Sequence, residues 1–183
     1  MKKRFKKLGA LLVVMVLMLA MSVSAFAAND PTGTNVPSNV ALHILNISDP
    51  NACLNALTSG VPVSGTYITT YPDKTAYEGT HAFRLVTGSD GYSYLCSDIM
   101  VNGTYANAGY WESSNRFKFT YTRNSLDHMG CTPEGNSVFS FFFPTWGKKM
   151  NMSSAGTGYG LHSFYVDGTY YVYNPARWTV LRF

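Results

Sequence analysis

Beyond residue 40, apolar and polar positions alternate with a period of two over much of the chain, the mark of strands that bury one face. Arg116 to Arg123 is the clearest stretch. Phe117, Phe119 and Tyr121 fall on one side, and Arg116, Lys118 and Thr120 on the other, so this strand is expected to keep one wet face. Val40 to Ile47, Val61 to Tyr71, Ala82 to Thr87, Tyr92 to Val101, Thr104 to Trp111, Leu161 to Tyr173 and Trp178 to Phe183 read as further strands or hairpins. Ser137 to Phe143 is almost continuously apolar and is expected to be buried on both faces, with Pro144 as its stop. Pro72-Asp73, Gly88 to Gly91, Glu112 to Asn115 and Asn174-Pro175 punctuate these runs as turns. Asn124 to Asn136 and Thr145 to Gly160 read as long loops.

One segment carries a helical signal. Asp49 is a candidate N-cap and Pro50 suits the first helical position. Ala52, Cys53, Leu54, Ala56 and Leu57 supply an apolar stripe before Gly60. A pentapeptide recurs three times, as Val63-Ser64-Gly65-Thr66-Tyr67, Val101-Asn102-Gly103-Thr104-Tyr105 and Val166-Asp167-Gly168-Thr169-Tyr170. Asn-Gly and Asp-Gly tolerate the positive φ of type I′ turns, so each copy reads as a hairpin turn, the third most clearly because good strand formers flank it. The copies are unevenly spaced, which argues against a solenoid or propeller. The expected fold is all-β: an antiparallel β-sandwich or open barrel of about ten short strands with one short N-terminal helix.

The N-terminus changes the charge picture. Lys2, Lys3, Arg4, Lys6 and Lys7 precede an apolar run from Leu8 to Met21, and Ala25-Phe26-Ala27 is an A-x-A cleavage site. Residues 1–27 thus read as a secretory signal peptide, residues 28–39 as a flexible leader and residues 40–183 as a single β-domain. The apolar run is too short for a membrane span, so none is expected once the signal is cleaved. The remaining 156 residues carry nine basic and ten acidic side chains. The formal charge of +4 therefore belongs to the signal, and no basic stripe is left to recruit nucleic acid.

Among candidate chemistries, Cys53, Cys96 and Cys131 allow one disulfide of unknown pairing in an exported protein. A cysteine-dependent hydrolase would need one of these thiols beside His43, His81, His128 or His162, and no known peptidase pattern surrounds any of them. Asp127, His128, Cys131 and Glu134 share one loop, but a closed metal site needs four ligands in a recognised spacing, and no metal or other cofactor is assigned. The acidic residues fall mostly in turns, where they serve the backbone, and no catalytic residue is assigned. The aromatic content is more suggestive: 13 Tyr and three Trp sit in a weakly charged chain. Tyr and Trp give sugar-binding surfaces an apolar face with a polar edge, although they also favour strands. Trp146 and Tyr159 in the Gly/Ser-rich loop, with Tyr110 and Trp111 at a strand end, are the candidate ligand-contacting residues. The function these features favour is a secreted, non-catalytic binding protein for a glycan or cell-surface polymer. Its alternatives are a bacteriocin-like or toxin-like antagonist and a small cysteine-dependent hydrolase.

Overall fold

The structure, a computed structural model, describes residues 36, 38–56, 61–72, 79–135 and 137–183. The signal peptide lies outside the described residues, as does most of the leader. Val36 and Asn39 of the leader already pack: Val36 is buried and the Asn39 N–H donates to the Leu85 carbonyl at 2.8 Å.

The described residues form twelve strands. They are β1 (Leu42–Asn46), β2 (Asp49–Asn55), β3 (Thr69–Pro72), β4 (Ala82–Thr87), β5 (Ser93–Val101) and β6 (Thr104–Trp111), followed by β7 (Arg116–Thr120), β8 (Gly130–Gly135), β9 (Val138–Phe143), β10 (Lys148–Gly156), β11 (Phe164–Thr169) and β12 (Trp178–Arg182). All the pairings between them are antiparallel.

Their order has a three-part logic. β1, β4, β5, β8, β9 and β12 follow one another round a closed ring. β1 pairs β4, β4 pairs β5, β8 pairs β9, β9 pairs β12 and β12 returns to β1. The Met129 N–H, just before β8, completes the circuit by donating to the Ser93 carbonyl at 2.9 Å. The other six strands form three hairpins, β2–β3, β6–β7 and β10–β11. The hairpins meet one another: β3 and β7 each pair β11, and the Ile68 N–H donates to the Phe117 carbonyl at 2.9 Å. Closure of this kind removes the exposed edges that an open sheet would present. The interior is filled from every part of the ring and cap, with Leu42, Ile44, Leu54, Phe83, Leu95, Phe117, Phe119, Phe141, Phe143, Met150, Val166 and Trp178 all fully buried.

Two sequence expectations are corrected here. The sandwich or open barrel is a closed one. The N-terminal helix is absent: Asp49–Asn55 is strand β2, and the described residues contain only 3₁₀ turns besides strands. Ala52, Cys53 and Leu54 are consecutive and all buried, so β2 is covered on both faces there, and β1 and β3 pair its two edges. Asp49 does cap locally, accepting from the Asn51 N–H at 3.2 Å, but as an i to i+2 turn and not as a helix start.

The pentapeptides divide. Asn102 and Gly103 hold φ of +49° and +76° between Val101 and Thr104, which is the two-residue hairpin foreseen. Gly65, at φ +91°, sits in a turn closed by the Thr66 N–H to the Val63 carbonyl at 3.0 Å. The third copy is no turn. Asp167 and Gly168 lie within β11, opposite Asn151 and Met150. Gly168 is small for a packing reason, since a Cβ there would fall 2.6 Å from the Tyr110 ring. Thr145 to Gly160 is likewise mostly strand β10, and Asn124 to Asn136 contains β8. The alternation at Arg116–Thr120 holds as read, with Phe117 and Phe119 buried and Arg116, Lys118 and Thr120 half-buried.

Candidate functional site

Strand β6 sends Asn107, Gly109 and Trp111 to one side by its period of two. The 3₁₀ turn Ser125–Asp127, between β7 and β8, brings Asp127 against this side. Asn124 starts that turn, its side-chain carbonyl accepting the Leu126 N–H at 2.8 Å. A second 3₁₀ turn, Pro144–Trp146, links β9 to β10 and ends on Gly147 in the left-handed region. It delivers Trp146, whose Nε1–H donates to the Leu126 carbonyl at 3.0 Å. The Thr145 hydroxyl donates to the Ser125 carbonyl at 2.9 Å, so two hydrogen bonds hold the turns together.

Between them lies a cleft of about 300 Å³, walled by Trp111, Trp146 and Tyr110, with Glu112, Thr120 and Asn124 at its margin and Asp127 in its lining. Asp127 is only 6% exposed, and its Oδ2 has no hydrogen-bond partner. Burial pushes its carboxyl up to about 6, with the neighbouring Asn107 amide and His128 pulling partly the other way. Neither polar atom of the Asn107 amide, itself fully buried, completes a hydrogen bond. A carboxylate oxygen and an amide thus lie buried side by side without complete hydrogen bonding, at a cost to the folded chain. Gly109 makes the arrangement possible: a Cβ there would lie 2.6 Å from Asp127 Oδ1 and 3.0 Å from the Trp111 ring.

Three of the four residues singled out from the sequence therefore share one cleft: Tyr110, Trp111 and Trp146. Tyr110 and Trp146 meet edge to face with ring centroids 5.4 Å apart. The Tyr110 hydroxyl donates to Asn115 Oδ1 at 2.7 Å, which fixes that ring from below. Tyr159 is elsewhere. It is 63% exposed and lines a separate hollow of about 190 Å³ with Thr66, Tyr67, Thr69 and Tyr165. Asp127 and Asn107 were not foreseen as ligand contacts. Asn107 has no motif, and Asp127 read as part of a metal-like loop cluster.

That loop cluster comes apart in three dimensions. His128 stacks on Tyr92 with centroids 3.9 Å apart, and its Nε2 lies 2.9 Å from Asp90. The Tyr94 hydroxyl, foremost, holds the Asp90 carboxyl down at about 2. Cys131 points inward against Met129, and Glu134 accepts from the Ser140 hydroxyl at 3.0 Å. Among the described residues no group of three or more acidic, His or Cys side chains is arranged to hold a metal ion. All three cysteines are buried, and none forms a disulfide, so the one allowed by the sequence is not made. Burial pushes the Cys96 thiol up to about 12.

Comparison with known proteins agrees on the architecture. No family model matches the chain, and no curated protein matches it. Solved structures do. The designed three-fold symmetric protein ThreeFoil matches with a TM-score of 0.62 at 14% identity, over 78% of this chain and 99% of its own. The BEL β-trefoil matches with a TM-score of 0.54 at 11% identity, over 85% of this chain and 99% of its own. The fold is a β-trefoil. A ricin B-like lectin of Macrolepiota procera, solved in complex with lactose, shares it with a TM-score of 0.56 at 17% identity, over 81% of this chain and 99% of its own. The six-stranded ring and the three hairpins described above are the barrel and the cap of the trefoil, and β1–β4, β5–β8 and β9–β12 are its three lobes. Among the described residues, Trp111 and Trp146 are the two tryptophans at the surface, and the cleft they form joins the second lobe to the third.

Proposed function

We propose that this β-trefoil is an exported, non-catalytic glycan-binding module, and that the Trp111–Trp146 cleft takes a sugar unit of a cell-surface or extracellular polymer. The observation that carries this reading is a cleft walled by Trp111, Trp146 and Tyr110 with the Asp127 carboxyl, one oxygen of it unpaired, in its lining. A sugar ring has an apolar face suited to an indole and hydroxyls suited to a carboxylate and an amide. The lectin neighbours support the reading at the level of fold. The signal-like N-terminus supports export.

The cysteine-hydrolase alternative is less favoured. Its nucleophile would be a thiolate, and the Cys96 thiol is held near 12 by burial. The antagonist alternative has support at the level of fold alone, from a mosquitocidal holotoxin that shares this architecture over 18% of its own length, and growth inhibition by the purified protein is its direct assay.

The test is retention of the purified protein on insoluble polysaccharides and on bacterial cell walls, beside Trp146→Ala and Trp111→Ala. The expected result is retention by at least one polymer, weakened tenfold or more in either variant while the fold, followed by near-ultraviolet circular dichroism, is kept. Retention that is indifferent to both substitutions would refute the site.

A further inference from the structure

Strand β7 turns three side chains outward in succession: Arg116, Lys118 and Thr120. Each belongs to a different part of one surface. Thr120 borders the tryptophan cleft. The Lys118 ammonium lies between two rings, 5.6 Å from the centroid of Trp111 and 4.7 Å from that of Tyr67. The Arg116 guanidinium lies over Tyr165, 4.5 Å from its centroid. Tyr67 and Tyr165 are edge to face at 5.4 Å and line the second hollow, where Tyr159 stands exposed. The cleft and the hollow are thus two ends of one aromatic track along the wet face of β7. From Arg116 to Thr120 that face extends about 13 Å at the usual strand rise, longer than a single sugar ring.

The charges along the track are unequal. Arg116 has a carboxylate at hand, Asp167 Oδ2 at 3.7 Å. Lys118 has none among the described residues, and only aromatic faces hold it in place. An ammonium seated between two rings keeps donors directed at solvent, so it is prepared to receive an anion beside an aromatic platform.

We infer that the ligand is an extended acidic glycan. One uncharged unit occupies the tryptophan cleft, and a unit bearing a carboxylate or sulfate group lies over Tyr67 with its anion on Lys118. This rests on the glycan-binding reading above and deepens it.

The test compares affinities of the full protein for hyaluronan (carboxylated), dextran sulfate (sulfated) and a neutral galactan, by affinity electrophoresis at two salt concentrations. The variants are Lys118→Gln, Tyr159→Ala and Trp146→Ala. Lys118 and Tyr159 are both outward-facing, so two independent variants that keep the fold are in hand. The expected result is preference for one acidic polymer, reduced at least fivefold by Lys118→Gln together with a shallower salt dependence. Tyr159→Ala weakens the same polymer, the loss in Lys118→Gln is greater for the acidic polymer than for galactan, and Trp146→Ala weakens both kinds. Hyaluronan or dextran sulfate as the preferred polymer identifies the anion. Galactan binding that is lost in Trp146→Ala, with no acidic preference, overturns this inference and leaves the cleft intact as a glycan site. Acidic binding unchanged in all three variants is general charge attraction and overturns it too. Failure to bind any polymer overturns both readings.

Discussion

Asp127 offers a quantitative test, because a carboxylate that burial desolvates weakens the fold that holds it when it ionises. Its carboxyl is raised from 3.8 to about 6, foremost by burial. The folded chain therefore favours the protonated form more than the unfolded chain does. Below about pH 4 both states are protonated and there is no penalty. As pH rises through the folded value near 6, the unfolded state gains by ionising first, and stability falls. The full shift corresponds to about 3 kcal/mol, and the part lying between pH 4.5 and 7.5 to about 2 kcal/mol. Asp127→Asn removes the titration while keeping the shape. Urea unfolding of both proteins at the two pH values gives a double difference in which ionisations common to both cancel. The expected outcome is that the wild type loses about 2 kcal/mol relative to the variant on going from pH 4.5 to 7.5. The variant should meanwhile bind sugar 10- to 100-fold more weakly, the usual effect of losing a charge-assisted hydrogen bond worth about 1.5–3 kcal/mol. A double difference near zero, or one of opposite sign, would refute the claim that burial raises this carboxyl.

Two further outcomes follow from the same geometry. Gly109→Ala should abolish polymer retention and lower stability by about 1–3 kcal/mol, because its Cβ would meet Asp127 Oδ1 at 2.6 Å and the Trp111 ring at 3.0 Å; unchanged retention and melting temperature would show that the two side chains are not held where described. All three thiols, being buried, should resist Ellman's reagent in the folded protein for hours and react at once in 6 M guanidinium; one thiol reacting quickly in the folded state would restore the cysteine-enzyme alternative.

Which parts of this molecule could be read from its sequence follows from which of its features are local. The period-two alternation of Arg116–Thr120 and the Asn102-Gly103 hairpin are decided by a few adjacent residues, and both are as read. The false helix at Asp49–Asn55 came from good capping residues before a short apolar run, and a run of that length fits a doubly covered strand equally well. The third pentapeptide misled for a similar reason: Asp167-Gly168 has turn chemistry, but Gly168 is there to admit the Tyr110 ring and Asp167 to meet Asn151 and Arg116. Such reasons lie between lobes and leave no trace in neighbouring residues. The candidate site divides along the same line. Trp111, Trp146 and Tyr110 stand out in any sequence by residue type alone. Asp127 becomes significant only when the second lobe folds back and buries it beside Asn107 with its Oδ2 unpaired. In a β-trefoil the barrel and the hairpin cap supply the stability, so the turns between strands are free to carry such costly groups. Here both turns that build the cleft, Ser125–Asp127 and Pro144–Trp146, lie outside the ring and hairpins, and they are held to each other by two side-chain hydrogen bonds. The destabilisation from a buried carboxylate thus falls on a small unit of the surface that the closed barrel can carry.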